Sequence, residues 1–102
     1  MNGYAKKTDD NHREIVEELR AALPEATVHD ASGTGRGFPD IVVGFAGRNY
    51  LFEIKDPAKP ISKRSLTEPQ KKFHDSWQGQ VSIAHSAAEI CAHIIRHTMK
   101  NP

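Results

Sequence analysis

Apolar residues recur at helical spacing near the start of the chain. Ile15, Val16, Leu19, Ala22 and Leu23 fall on one face of a helix predicted from Asn11 to about Leu23. Asp9, Asp10 or Asn11 offers a cap, and Pro24 stops the helix. From there the period shortens. Ala26 to Asp30 reads as a short strand. Two apolar runs, Ile41-Val42-Val43 and Tyr50-Leu51-Phe52, flank a tight turn near Gly47-Arg48-Asn49 and read as a β-hairpin. The glycine-rich loop Ser32 to Gly37 separates that strand from Phe38-Pro39-Asp40 and the hairpin. Asp56 to Ser65, rich in proline and lysine, reads as an exposed loop. Thr67 with Gln70 three residues later forms a capping-box pattern, opening a helix that runs through Phe73 and Trp77 to a C-terminal cap at Gly79. Val81 and Ile83, with His85 as an extension, alternate with polar residues as a last strand. Ser86 and Glu89 form a second capping box for a final helix with Ala87, Ile90, Cys91, Ile94 and Ile95 on its apolar face.

The order α-β-β-β-α-β-α predicts an α/β protein with a mixed central sheet flanked by helices. At 102 residues the chain makes one domain, placed at residues 10–99, with the polar residues 1–9 expected to be flexible. No apolar run approaches the ~20 residues that span a bilayer, and Met1 to Asp10 lack the apolar core of a secretion signal. No membrane partner is expected. Cys91, the only cysteine, excludes an internal disulfide and a cysteine-based zinc site, so a reducing cytoplasm is the expected location. The net charge of +1 is uninformative, but its distribution is not. Residues 1–30 carry a balance of −3, whereas 55–72 hold six basic and two acidic side chains, a balance of +4 that would attract a polyanion. A solvated loop and helix face is the plain alternative.

The chemistry concentrates on Asp40 and, after twelve intervening residues, Glu53-Ile54-Lys55. Glu53 and Lys55 are two apart on a strand and share a face. A turn centred between Gly47 and Arg48 sets Lys55 opposite Asp40; a register one place away sets Glu53 there instead. Either way two carboxylates and an amine converge. Such carboxylates repel unless a cation lies between them, and hard oxygen donors suit Mg²⁺. A lysine beside that ion can steady a developing anion or help activate water, as in a metal-dependent phosphodiesterase. An exposed Glu-x-Lys pair is also ordinary strand surface, so the surroundings decide. The glycine-rich loop lacks the Gly-Lys-Ser/Thr ending of a phosphate-binding loop and feeds a strand, so no nucleotide cofactor is expected. Its glycines permit close approach of backbone to a ligand, with Arg36 available for a phosphate; simple turn-making is the alternative. His93 and His97 share a helix face without a third ligand and read as solvated. Packing or exposure is expected for His74. Trp77 reads as core, sharing a face with Phe73. Glu14, Glu17 and Glu18 are candidates for a third metal carboxylate.

Gly37-Phe38-Pro39-Asp40, Glu53-Ile54-Lys55 and Leu66-Thr67-Glu68-Pro69-Gln70, in that order and context, resemble the VRR-NUC family of the PD-(D/E)xK nuclease superfamily, which also holds Holliday junction resolvases. The likeness is to small stand-alone members common in phages and prophages, and covers roughly Asn11 to Ile95. It implies a restriction-endonuclease-like αβββαβ core with a C-terminal helix. It implies a Mg²⁺- or Mn²⁺-dependent DNA endonuclease in a bacterial host cytoplasm, selective for branched or flapped DNA rather than for sequence. By the same resemblance Asp40, Glu53 and the Ile54 carbonyl hold metal, Lys55 is catalytic, and Gln70 is the accessory polar residue. A glutamate from the first helix is implied too, with Glu14 preferred over Glu17, and His12 or Asn11 as other occupants of that place. Lys59, Lys63 and Arg64, and less strongly Lys71 and Lys72, would hold the DNA backbone. One site per chain makes a homodimer the expected route to cutting both strands. The competing expectation is a PD-(D/E)xK fold that binds DNA or protein without turnover.

Overall fold

A helix, two turns of glycine-bearing loop and a hairpin set out the first half of the protein. In the structure, a computed structural model, residues 11–102 are described; the expected flexible segment 1–9 and the expected caps Asp9 and Asp10 lie outside them. Helix α1 spans His12–Ala22, strand β1 Thr27–Asp30, β2 Ile41–Phe45 and β3 Arg48–Ile54. A four-residue helix α2 (Ile61–Arg64) interrupts the segment expected to be loop. Then come α3 (Glu68–Ser76), β4 (Val81–Ala84) and α4 (Ala87–Lys100). The sheet order is β1-β2-β3-β4, with β1, β2 and β3 antiparallel and β4 parallel to β3. The fold is therefore α/β with a mixed four-stranded sheet, and α4 closes the chain. No helix among the described residues is long and apolar enough to cross a membrane.

Alternation along β3 divides the sheet into two unlike faces. Tyr50, Phe52 and Ile54 point into a core shared with Ile15 and Leu19 of α1 and with Ile90 and Ile94 of α4. Leu51 and Glu53 point the other way, and Lys55 continues that side beyond the strand. The first face supplies most of the stability, because burying each large aliphatic or aromatic side chain contributes roughly 1.5–3 kcal/mol. The second face carries the charges.

Several local expectations are corrected. The hairpin turns at Ala46-Gly47, with φ of 52° and 77°, one step before the expected position. Two consecutive left-handed residues make the two-residue turn whose twist matches that of paired strands. Trp77 is 41% exposed rather than core, because α3 ends at Ser76 and the indole stacks outside Phe73. Gly79 therefore lies beyond the cap and against the Trp77 ring. The helix face of His93 and His97 is half-buried rather than fully solvated. His93 packs edge-on to Tyr50 and Phe52, and His97 Nδ1 lies 3.1 Å from the Tyr50 hydroxyl. Burial lowers the His93 pKa, with the charges of Arg96 and His97 acting in the same direction. The Ser86 capping box is half formed: its hydroxyl accepts from the Glu89 amide, but the Glu89 carboxylate accepts from the His85 amide instead. Ile95 is 40% exposed, one residue past the buried face.

Ile94 and Ile95 thus separate by one helical step of about 100°. Ile94→Ala is expected to cost about 2–5 kcal/mol in denaturant unfolding, and Ile95→Ala under about 1 kcal/mol. Equal costs would contradict the orientation of α4.

Candidate active site

The hairpin ladder pairs Ile41 with Phe52, Val42 with Leu51 and Val43 with Tyr50. Continued by one pair, this register brings Asp40 across from Glu53, the second of the two registers expected, and not Lys55. Pro39 and Asp40 are both buried just before β2. Asp40 Oδ2 accepts from the Ile54 amide at 2.8 Å, which ties the carboxylate to the backbone beside Glu53. Asp40, Glu53 and Lys55 are 4%, 3% and 6% exposed.

Gln70 joins two of these charges. Its Nε2 donates to Glu53 Oε2 at 3.0 Å, and its Oε1 accepts from Lys55 Nζ at 2.9 Å. Lys55 Nζ lies 3.8 Å from the same Glu53 oxygen. The capping box explains how Gln70 comes to be there. Thr67 Oγ1 accepts from the Gln70 amide, and Gln70 Oε1 also accepts from the Thr67 amide at 2.9 Å. One side chain therefore serves the helix end and the charged cluster together.

The glycine-rich loop sets the height of α3 over the sheet. Gly35, Arg36 and Gly37 have φ of 79°, 59° and 81°. A Cβ on Gly37 would stand 2.2 Å from the Pro69 carbonyl oxygen and 2.9 Å from the Gln70 amide nitrogen. Only glycine lets the loop that carries Asp40 press directly on the turn that carries Gln70. Phe38 adds an edge-to-face contact with Phe73, centroids 5.2 Å apart. Neither contact was readable from the spacing of residues alone.

The first helix contributes differently from expectation. Glu14, Glu17 and Glu18 are exposed, and the buried polar side chain of that turn is His12. His12 Nε2 lies 3.2 Å from Asp30 Oδ2 at the end of β1. Among the described residues, no three His, Cys, Asp or Glu side chains gather into a metal-binding group, so Glu14 does not join Asp40 and Glu53. The oxygen donors brought together are the two carboxylates and the backbone around Ile54. They suit a hard divalent cation such as Mg²⁺ or Mn²⁺, which is satisfied by few protein oxygens and keeps water for the rest.

Lys59 follows Lys55 on the loop, with Lys63 exposed and Arg64 half-buried on α2. Arg36 is exposed on the glycine-rich loop. His74 is half-buried on α3; burial lowers its pKa, opposed by Asp75 and reinforced by the Lys55 charge. Comparison with family models, curated proteins and solved structures returned no match.

Two outcomes follow from this geometry. Gly37→Ala combines a forced shift worth about 1–3 kcal/mol with the left-handed backbone cost of about 1–2 kcal/mol. Gly35→Ala, with open space around its Cβ position, carries only the backbone cost. Denaturant melts should rank the two in that order, and parity would show that loop and α3 do not bear on each other. The second outcome concerns acid stability. Burial raises the Asp30 pKa, but hydrogen bonds from the Ser32 hydroxyl and amide and the His12 contact outweigh it, leaving about 2 against an ordinary 3.8. Because the folded pKa is depressed, the contribution to stability is complete above about pH 4 and lost as pH falls toward 2. In Asp30→Asn the loss of stability between pH 4 and pH 2 should be shallower than in wild type; an unchanged slope would refute the assignment.

Proposed function

We propose that the protein is a divalent-metal-dependent DNA endonuclease of the VRR-NUC type, on a restriction-endonuclease-like αβββαβ core with a C-terminal helix. The observation that carries this reading is the burial of Asp40, Glu53 and Lys55 together, with Glu53 and Lys55 joined by Gln70 and Asp40 held by the Ile54 amide. Taking such charges out of water costs several kcal/mol per ion, and apolar residues of similar size often serve stability as well or better. Charges buried together at a strand end therefore support chemistry over packing.

Asp40 and Glu53, with the Ile54 carbonyl, are the donors for Mg²⁺ or Mn²⁺. When bound, that ion polarises the scissile phosphate and lowers the pKa of water. Lys55 supplies a fixed positive charge against the negative charge that grows on the phosphate in the transition state. Gln70 holds the ammonium by its Oε1, so little reorganisation is needed when the reaction occurs. Lys59, Lys63, Arg64 and Arg36 hold the DNA backbone through contacts that carry no base information. Selection then falls to the form of the DNA, branched or flapped, rather than to its sequence. Two copies would place one site on each strand.

Supercoiled plasmid and a labelled four-way junction, incubated with Mg²⁺ or Mn²⁺ and with EDTA, test this directly. Cutting should require the metal and fall by about 10²–10³-fold in Lys55→Ala, the loss typical when a transition-state donor is removed. A Mn²⁺-induced rise in thermal midpoint should disappear in Asp40→Asn. Retained DNA binding without any metal-dependent cutting would replace the nuclease by a binding module on the same fold.

A further inference from the structure

Two hollows meet beside the proposed site. One, of about 430 Å³, is lined by Thr34, Gly35, Arg36, Phe38 and Phe73. The other, of about 530 Å³, is lined by Arg36, Glu68, Pro69, Lys72, Phe73 and Ser76. Arg36 and Phe73 belong to both. Behind them the rings form a short stack. Phe73 and Trp77 lie 4.9 Å apart at 21°, and Phe38 meets both edge-on. The cluster is partly open, ending in the 41% exposed Trp77.

We infer that this hollow is a stacking subsite for an unpaired DNA base next to the phosphate being cut. The inference rests on the nucleic-acid reading above and narrows its substrate. Phe73 offers the base an aromatic wall, and Arg36 and Lys72 offer counter-charges to the adjoining phosphates, against the single carboxylate of Glu68. That pairing of a π-face with cations matches a nucleotide and not an apolar peptide, and stacking of this kind accepts any base. Arg36 is held at φ 59° between two left-handed glycines, a conformation that disfavours residues with a Cβ, and so is projected outward at some backbone cost. The subsite is also tied to the chemistry through the chain. Phe38 is two residues from Asp40, and Phe73 is three from Gln70, one turn along α3. A fully paired duplex keeps its bases in the stack and cannot fill the hollow without opening.

The test is binding of wild-type protein, in EDTA so that nothing is cut, to labelled oligo(dT) and to a blunt duplex of equal length. Fluorescence anisotropy gives the affinities. Trp77, the sole tryptophan, gives an intrinsic second signal. Oligo(dT) should bind tighter than the duplex and quench Trp77 saturably. Phe73→Leu keeps the apolar volume but removes the π-face, and should weaken oligo(dT) by about 5–150-fold while changing duplex binding by less than about 2-fold. Arg36→Gly, which suits the left-handed backbone, should weaken oligo(dT) as well, and it carries the comparison if Phe73→Leu melts early. Equal affinity for the two DNAs, or equal losses in Phe73→Leu, would overturn the subsite. Wild-type plasmid cutting is measured in parallel. Metal-dependent cutting without preference for unpaired DNA overturns the subsite alone, whereas neither cutting nor binding overturns both readings.

Discussion

The amide of Gln70 is the contact on which the rest of the arrangement depends. Glu53 and Lys55 lie almost wholly out of water on one face of the sheet. A buried ion pair at 3.8 Å does not by itself repay desolvation. Gln70 adds hydrogen bonds to both charges, meeting the carboxylate with its NH₂ and the ammonium with its oxygen. Its oxygen also takes the Thr67 amide, an otherwise unsatisfied donor at the helix start. Losing this side chain would therefore expose two charges and a helix end to the same deficit. Helix α3 is held above the sheet by polar contacts more than by an apolar face, and none of its residues is fully buried.

That dependence makes remote features decisive. The left-handed Ala46-Gly47 turn fixes the hairpin register, and with it which residue Asp40 meets. A slip of one residue would exchange the two faces of β3, turning Glu53 into the apolar core and Phe52 toward α3. On the other side, the missing Cβ of Gly37 sets how near α3 can come to the loop leading to Asp40. Turn and loop together locate two carboxylates and a lysine that no single element could bring into one place.

Much of this was legible in the sequence, and the reasons for success and failure differ by residue. The order of strands and long helices followed from apolar periodicity, because the core face needs it. Thr67 and Gln70 announced the start of α3, because capping is local chemistry. The convergence of Asp40, Glu53 and Lys55 followed from strand alternation, though two registers remained open until the turn was placed. Trp77 departs from the expected core position because periodicity cannot tell a helix face that packs on a sheet from one that packs on a loop. His93 and His97 depart for the converse reason: polar side chains at helical spacing fall against Tyr50 and Phe52. The exposure of Glu14 and burial of His12 depend on how α1 rolls on the sheet, which its five apolar positions do not fix to one residue.

The two faces of β3 also explain why stability and the proposed chemistry can be separated within so small a domain. Tyr50, Phe52 and Ile54 join α1 and α4 in one apolar core. Glu53 and Lys55 face α3, which meets them through Gln70 and bears on a strained loop at Gly35-Arg36-Gly37. Strain and buried charge both cost stability, and among the described residues they occur together on this face. A fold under no functional demand would relax that loop and fill the cluster with apolar side chains. The asymmetry between a well-packed face and a costly one is therefore the broadest physical argument that the Asp40–Glu53–Lys55 cluster is kept for what it does to a ligand.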